Sequence, residues 1–185
     1  IKDDVKLAKA VVAINKAHVV MLTEQKIIKK QDGAKLLQAL DKFSSNELEA
    51  STEDVHMAVE EAVLKDAGEV AGGNLHIAKS RNDQVATAIR MELRNELLNL
   101  MRAVSHVQDH LAEVAEEHVN TVILEYTHLQ PAQPVTFAHY LLSHYAALER
   151  DLQRLQGLYT RVNVCPLGAG ALATTSFPIN LSLIH

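Results

Sequence analysis

The sequence predicts an all-α protein, in which a small helical N-terminal domain is followed by the first long helices of an elongated antiparallel helical bundle. Three observations predict this class. Residues that favour helices, such as Ala, Leu, Glu and Lys, are abundant, whereas aromatic residues make up 4% of the chain and Trp is absent. Apolar residues recur at steps of three and four along most of the chain. The content of 48% apolar and 22% charged residues is typical of a folded globular protein.

Short helices are predicted first. The apolar residues of 5–22 have helical spacing, and a second helix over 34–40 follows a turn at Asp32-Gly33. The stretch 43–46 breaks this pattern, and the polar segment 51–54 is typical of the N-cap of a third helix. Three glycines are predicted to end that third helix: Gly68, Gly72 and Gly73.

Two long helices are predicted next. Over 83–118, apolar residues recur at steps of four and three without a break, which predicts one helix of about 50 Å at a rise of 1.5 Å per residue. Pro131 and Pro134 are predicted to start a second long helix that reaches Val162. Helices joined in this way form an antiparallel hairpin. The apolar stripe of the first long helix contains Val85, Ile89, Leu93, Leu97, Leu100, Val104, Val107, Leu111 and Val114.

The domain organisation follows from these elements. We expect a helical N-terminal domain at 1–78 and the start of a central long-helix bundle at 79–185. Because a hairpin of two helices leaves much of each apolar stripe in water, further helices or further subunits must cover it, and self-association is expected. The chain begins at Ile1 and stops at His185 within a segment that has the character of ordered structure, so a fragment of a longer protein is also expected.

Composition excludes several classes of function. A net charge of −5 and a pI near 6.0 leave no basic surface for nucleic acid. The chain has no apolar run of roughly 20 residues that could span a membrane, and no leader peptide is expected. Cys165 is the single cysteine, which fits a reducing compartment such as the cytosol. His106 and His110 have a spacing that can hold a metal, but the glutamate of the zincin motif is missing, so neither a metal nor a cofactor is expected.

Polar residues that could bind an anion precede the first long helix. Backbone N–H groups at a helix start have no intrahelical partners and favour negative charge, and Arg81 could add a bidentate contact to a carboxylate. Ser80 and Asn82 supply neutral hydrogen bonds. The alternative interpretation is that Ser80, Asn82 or Asp83 only caps the helix while Arg81 lies in solvent.

A second polar segment precedes the second long helix and contains Thr127 and His128. Histidine titrates near neutral pH and is the side chain most often used for proton transfer. A single loop histidine is more often structural than catalytic, and only its surroundings favour a catalytic role.

Taken together, these segments resemble the argininosuccinate lyase family, within the fumarase and aspartase superfamily. The resemblance extends over nearly the whole chain and includes Ala17-His18. Fumarases and aspartases have a similar Thr-His-Leu-Gln stretch but lack the Ser-Arg-Asn-Asp-Gln loop. The motifs that carry the resemblance are Ser80-Arg81-Asn82-Asp83-Gln84, Tyr126-Thr127-His128-Leu129-Gln130 and Pro166-Leu167-Gly168-Ala169-Gly170-Ala171-Leu172.

The resemblance implies an elimination reaction on argininosuccinate. A base removes a proton beside a carboxylate, the carbanion is stabilised, and the guanidino nitrogen leaves as fumarate forms. By the same resemblance, Asn82 and Thr127 would hold the substrate, Ser80 and Arg81 would line the carboxylate site, and His128 would take part in proton transfer. Asn15 stands where many relatives have a substrate-binding serine, and the alternative for Asn15 is a position on the helix surface.

The chain departs from the family pattern at two places. Residues 77–79, Ile-Ala-Lys, stand where relatives usually have Thr-Gly-Arg, and 124–125, Leu-Glu, replace a common Pro-Gly. The family's serine-containing loop, which supplies the catalytic base, would lie beyond His185, so the chain alone is expected to be inactive. The resemblance also implies a homotetramer in which three subunits assemble each active site.

Alternatives remain open at this point. The same fold includes crystallins, structural lens proteins in which lyase activity is lost, and a helical assembly module would have similar apolar stripes. Both alternatives predict that loop residues are dispensable. Within the enzymes, a sibling lyase could release fumarate from another substituted succinate.

Overall fold

The computed structural model describes residues 4–43 and 53–185, and these form a mostly helical protein with one small sheet, which confirms the predicted class. Short 3-10 helices lie at Asp4–Leu7 and Leu181–Leu183. The helices are α1 (Ala8–Glu24), α2 (Lys30–Lys42), α3 (Val55–Ala67), α4 (Glu69–Gly72), α5 (Arg81–Glu117) and α6 (Phe137–Val162), and the strands are β1 (Val122–Thr127) and β2 (Gln130–Thr136).

The chain divides into two compact units. The first contains Ile1–Leu93 and Val164–His185, and the second contains Arg94–Asn163. Helix α5 belongs to both units, and the segment after α6 returns to the first. The domain boundary at 78/79 stays a prediction, since compactness alone does not decide which pieces fold independently.

In the first unit, α1, α2 and α3 pack around one apolar core. The buried side chains recur at helical spacing on each helix, so each presents one apolar face to the others. Burial of a large aliphatic side chain contributes about 1.5–3 kcal/mol, and Leu167 and Ile184 from the returning segment join the same core. The largest fully buried aliphatic side chains are Val11, Val19, Met21, Leu22, Leu36, Leu40, Val55, Val59, Val63 and Leu75.

Helix α2 begins earlier than the sequence predicts. The predicted turn Asp32-Gly33 lies inside its first turn, because an acidic residue is favoured at a helix start and Gly33 meets the Thr23 side chain at close range. A Cβ atom at position 33 would overlap the Thr23 hydroxyl. The glycine therefore marks a close approach of α2 to the end of α1 rather than a turn.

The start and end of α3 agree with the prediction. The Asp54 carboxylate accepts a hydrogen bond of 2.6 Å from the Met57 backbone N–H, which makes Asp54 the N-cap. Gly68 ends the helix with a φ of +81°, a conformation that favours glycine. The other residues of the predicted cap, 51–52, and the break at 44–46 lie outside the described residues.

In the second unit, α5 and α6 run antiparallel, as predicted. Helix α5 agrees with the predicted 83–118 to within two residues at either end. Arg94 donates to the Asn163 side chain at 3.0 Å, and Gln108 donates to Glu149 at 3.2 Å. A small apolar cluster packs where α5 ends and α6 begins, and its buried residues are Ala115, Ala138 and Leu141.

The sequence prediction was wrong about the segment before α6. Pro131 and Pro134 do not start the helix but lie in β2, which pairs antiparallel with β1. A two-stranded sheet tolerates proline, because each strand has an outer edge where no N–H donor is needed. Helix α6 begins only at Phe137, where the Thr136 hydroxyl accepts from the His139 backbone N–H at 3.2 Å and forms the N-cap.

Candidate active site

The predicted anion-binding residues Ser80, Arg81 and Asn82 form the segment that we call the α5 entry loop. Ser80 is the helix N-cap, since its hydroxyl accepts from the Asn82 N–H at 3.3 Å and its carbonyl accepts from the Gln84 N–H at 3.2 Å. In return, the Asp83 carboxylate accepts from the Ser80 N–H at 3.0 Å. This reciprocal capping orients the first turn of α5. The structure therefore confirms that Ser80 and Asp83 cap the helix.

Asp83 also fastens the entry loop to a distant segment. Its second carboxylate oxygen accepts from the Gly168 N–H at 3.1 Å and from the Gly170 N–H at 2.8 Å. Both glycines have positive φ, +100° and +63°, which turns their amides toward the carboxylate. Together with the Ser80 N–H, the buried carboxylate thus accepts three backbone hydrogen bonds. We call this set of contacts the Asp83 clamp.

Arg81 does not lie free in solvent, so that alternative was wrong. Its guanidinium is 3.3 Å from a Glu60 oxygen and 3.8 Å from an Asp54 oxygen. Its Nη1 atom is buried and has no hydrogen-bond partner among the described residues. The same Glu60 side chain lies 3.1 Å from the His76 Nδ1 atom. Glu60 therefore contacts both His76 and Arg81, which lie at the two ends of the segment that leads into α5. The Nη1 atom of Arg81 has no acceptor among the described residues.

Asn82 stands at the exposed side of the entry loop. Its side-chain amide donates to the Ala171 carbonyl at 3.4 Å, a long hydrogen bond that leaves the amide oxygen without a bond to that segment. The role predicted for Asn82, a hydrogen bond to substrate, stays a prediction.

Behind the entry loop, Asn15 and Lys79 form a buried contact. Asn15 is 1% exposed, so the alternative that it lies on the helix surface was wrong. Its amide donates to the Val11 carbonyl at 2.9 Å, and its oxygen accepts from the Lys79 ammonium. Burial lowers the pKa of Lys79 to about 7, although the carboxylates of Glu60 and Asp83 oppose that shift.

Two buried histidines lie close to this contact. The His18 Nε2–H donates to the Ile77 carbonyl at 2.7 Å, and burial lowers the pKa of His18 to about 4, with the positive charge of Lys79 adding to the effect. His18 is therefore neutral at physiological pH. Burial also lowers the pKa of His56, whose two ring nitrogens have no partner among the described residues.

Backbone strain accompanies the His18 contact. The next residue after Ile77, Ala78, has a φ of +64°, a left-handed conformation that an L residue with a Cβ atom adopts at a cost. Relatives in the resembled family usually have glycine there. At position 78 alanine is therefore more strained than glycine would be.

Thr127 and His128 lie in the second unit, in the tight turn of the β-hairpin. Thr127 pairs with Gln130, so the turn has His128 and Leu129 at its centre. Their φ angles of +48° and +59° are those of a type I′ turn, in which both central residues are left-handed. All four residues are exposed, and Leu129 reaches 91%. We call the segment 127–130 the hairpin turn.

The structure thus places the predicted site residues in two groups. Asn15, Ser80, Arg81 and Asn82 belong to the first unit, and the pair Thr127 and His128 belongs to the second. Within 4–43 and 53–185, no group of three or more His, Cys, Asp or Glu side chains is arranged to hold a metal ion. Within the same residues, no helix is long and apolar enough to cross a membrane.

Sequence reasoning missed several residues that support the entry loop: His18, Glu60, Lys79 and the full role of Asp83. Only Asp83 carried a usable signal, an acidic residue in the first turn of a predicted helix. The partners of the other three lie 16 to 64 residues away along the chain, which no local pattern indicates.

Comparisons with known proteins agree on one family. The profile of a family described as lyase matches residues 2–183. An argininosuccinate lyase of Methanococcus aeolicus is 46% identical over 169 residues, which cover 89% of this chain and 35% of that protein. The argininosuccinate lyase of Methanosphaera stadtmanae is 45% identical over 185 residues and is covered to 40%. The chain therefore spans about two fifths or less of the relatives it matches.

Solved structures give the same fold. A crystal structure of an EDDS lyase in complex with formate superposes with a TM-score of 0.88 at 36% identity, and the match covers 97% of this chain and 36% of that one. A variant of EDDS lyase with bound fumarate superposes equally well.

Proposed function

We propose a function for the full-length protein from the family of this chain, which belongs to the lyase family. The full-length protein is an argininosuccinate lyase, which eliminates fumarate from argininosuccinate and releases L-arginine. The observation that carries this proposal is the identity of 46% and 45% with two argininosuccinate lyases over nearly the whole chain. The same activity would place the protein in arginine biosynthesis.

The geometry of the entry loop supports the binding of a dicarboxylate part of the substrate. The start of α5, a helix of 37 residues, attracts a carboxylate, and the partly exposed Arg81 guanidinium and the Ser80 hydroxyl lie at that helix end. Asn82 and Thr127 would hold the substrate by neutral hydrogen bonds. The ion pairs of Arg81 with Glu60 and Asp54 would keep its guanidinium in place before substrate binds.

The proposed chemistry is a proton abstraction followed by loss of the amine. A base removes the proton from the carbon beside one carboxylate, the electron pair forms the double bond of fumarate, and the C–N bond breaks. The guanidino nitrogen leaves with a proton. We assign His128 to proton transfer, and the base itself to a serine-containing loop beyond His185. No metal or cofactor is needed in this scheme, and chelators should leave the activity unchanged.

We further propose a cytosolic homotetramer, in which other copies complete each active site. Apolar side chains of α5 support association, because four residues of the predicted stripe are between 41% and 51% exposed: Ile89, Leu93, Leu100 and Val107. Sedimentation of the full-length protein should show a tetramer, and a monomer at micromolar concentration would contradict this part of the proposal.

The activity is tested with the full-length protein. We expect argininosuccinate to yield equal amounts of fumarate and arginine, whereas malate, aspartate and adenylosuccinate yield no product. His128→Asn should lower kcat by about a hundredfold or more, since general acid–base groups contribute on that order. His110→Asn, a matched change at an exposed position of α5, should leave kcat unchanged.

The outcomes separate the alternatives. If the wild-type protein leaves argininosuccinate intact, the proposed function is wrong, and a structural role like that of the crystallins becomes the better explanation. If His128→Asn retains full activity, His128 has no part in proton transfer.

A second candidate is a sibling lyase that releases fumarate from another substituted succinate. The match to EDDS lyase at 36% identity favours this class over unrelated enzymes. Including EDDS among the assayed substrates decides between the two, because the preferred substrate has the higher kcat/KM.

A further inference from the structure

The surroundings of the Arg81 guanidinium leave few of its donors open to a ligand. The Nη1 atom is buried and has no acceptor among the described residues. The Nη2 atom is 3.3 Å from a Glu60 oxygen, and the Nε atom is 3.8 Å from an Asp54 oxygen. Because the Arg81 side chain is 34% exposed while Nη1 is buried, the nitrogen atoms that a ligand can reach are Nη2 and Nε.

The shape of the guanidinium makes Nη2 the decisive atom. A carboxylate binds arginine most strongly through two parallel hydrogen bonds. Two edges of the planar group offer such a pair of donors: one edge has Nη1 with Nη2, and the other has Nε with Nη2. Both edges include Nη2, which is the atom that faces Glu60. An incoming carboxylate that binds Arg81 in this way must therefore displace Glu60.

Glu60 is able to give up this contact. Its side chain is 28% exposed, so water can solvate the carboxylate, and its other oxygen lies 3.1 Å from the His76 Nδ1 atom. Asp54 is less free, because one of its oxygens accepts a hydrogen bond of 2.6 Å from the Met57 backbone N–H at the start of α3. Of the two carboxylates beside Arg81, Glu60 is therefore the one that a ligand replaces.

We propose that Glu60 is an internal competitor for a ligand carboxylate: it occupies the Arg81 guanidinium in the free protein and is exchanged for a carboxylate of the substrate when the substrate binds. Until then Glu60 compensates the charge of Arg81 and keeps its guanidinium in place. It also lowers the affinity for the ligand, because the ligand must first displace it. The identity of the substrate rests on the proposed function, whereas exchange at Arg81 applies to any dicarboxylate.

Binding of succinate to the full-length protein tests the exchange without any chemistry. In calorimetric titrations, Glu60→Gln should bind succinate about three- to fivefold more tightly than the wild type, because the contribution of a partly exposed ion pair no longer opposes binding. Glu60→Asp keeps the charge but withdraws it by one methylene, and it should show a smaller gain. The matched control is Glu61→Gln, which removes the same charge from an exposed position of α3 and should bind succinate as the wild type does.

The direction of the change separates exchange from a purely structural role. If Glu60 only orients Arg81, Glu60→Gln weakens the binding of succinate. Equal or weaker binding by Glu60→Gln, or no detectable binding by either protein, would therefore overturn the proposal. If Glu60→Gln does not fold, as judged by thermal unfolding, the same comparison is made with Glu60→Asp.

A double variant shows whether the gain arises at Arg81. When Glu60→Gln is combined with Arg81→Gln, the tighter binding of succinate should disappear, because the guanidinium that the two carboxylates share is gone. A gain that persists in the double variant would show that succinate binds elsewhere, and the exchange would then be wrong.

Kinetics connect the exchange with the proposed reaction. In Glu60→Gln we expect KM for argininosuccinate to fall by about the same three- to fivefold, with a smaller change in kcat, since the competition concerns binding. A rise in KM would contradict exchange by the substrate. A wild-type protein without lyase activity would contradict the proposed function, yet the succinate titrations would still decide whether Glu60 competes for Arg81.

Discussion

The entry loop and the hairpin turn both carry predicted site residues, but they are held in place differently. The entry loop is fastened from behind by the Asp83 carboxylate, by the Asn15–Lys79 contact and by the ion pairs of Arg81. Within 4–43 and 53–185, the contacts that hold the hairpin turn are those of strand pairing, and the turn has exposed side chains and two left-handed residues at its centre. The entry loop is therefore fixed by side-chain contacts within its own unit, whereas the position of His128 rests on the backbone pairing of its hairpin.

The largest effect is expected when the clamp is removed. Asp83→Ala leaves the amides of Ser80, Gly168 and Gly170 without their acceptor, which should lower the free energy of unfolding by about 4 kcal/mol. Urea denaturation measures this loss. Asp109→Ala, at an exposed position of the same helix, should change it by less than about 0.5 kcal/mol.

Hydrogen exchange localises the effect of Asp83→Ala. Exchange at the Gly168 and Gly170 amides should accelerate toward that of the hairpin turn, which would make the two regions alike. Unchanged protection of both amides would show that the clamp does not hold the loop.

A change of pH should affect the first unit through His18. Its pKa is about 4 in the folded chain and 6.5 in the unfolded chain, so the unfolded chain binds more protons between these values. The free energy of unfolding should therefore fall as the pH falls from 6.5 to 4, by about 3 kcal/mol from this residue. Urea denaturation at several pH values measures the slope.

The matched variants isolate this contribution. His18→Gln removes the titrating ring and should flatten the slope between pH 6.5 and 4, whereas His110→Gln, with a side chain that is 80% exposed, should keep it. Equal slopes for the wild type and His18→Gln would contradict the assignment.

The smallest effects on stability are expected from relief of backbone strain, which is present at Ala78, just before the entry loop, and at Leu129 in the hairpin turn. Ala78→Gly and Leu129→Gly each place glycine at a positive φ and should stabilise the chain by about 0.5–1 kcal/mol. Ala103→Gly, at an exposed helical position, should instead destabilise it by about 1 kcal/mol. Thermal unfolding of the three variants shows which of them are stabilised and which are destabilised. If Ala78→Gly destabilises the chain, packing of the Ala78 Cβ atom contributes more to stability than the backbone strain costs.

The sequence predicts helix α5 well because the apolar pattern of this helix extends over many residues. Helix α5 repeats its apolar spacing over many turns, and the ends are then known to within two residues. The hairpin was missed because its strands are only six and seven residues long, and because β2 carries two prolines that also favour helix starts. The tertiary contact between α5 and α6 then selects the later helix start at Phe137.

The site was predictable only in part. The motif resemblance named Asn15, Ser80, Arg81, Asn82, Thr127 and His128, and their roles stay predictions. The contacts behind the entry loop were not predictable, because Asn15 meets Lys79, and Asp83 meets Gly168, only when distant segments fold together. Their interactions depend on distances that spacing along the chain does not encode.

The Asp83 clamp also determines when the entry loop can form during synthesis of the chain. Its partners Gly168 and Gly170 follow Asp83 by 85 and 87 residues, so a ribosome that adds about 5–20 residues per second delivers them roughly ten seconds later. Helices α1 to α3 form from nearby contacts and can fold during that interval. Until then the second carboxylate oxygen of Asp83 lacks these two partners, and closing so long a loop carries an entropic cost that the two new hydrogen bonds help to offset. The entry loop therefore reaches its final form only after Gly170 has been synthesised, later than helices α1 to α3.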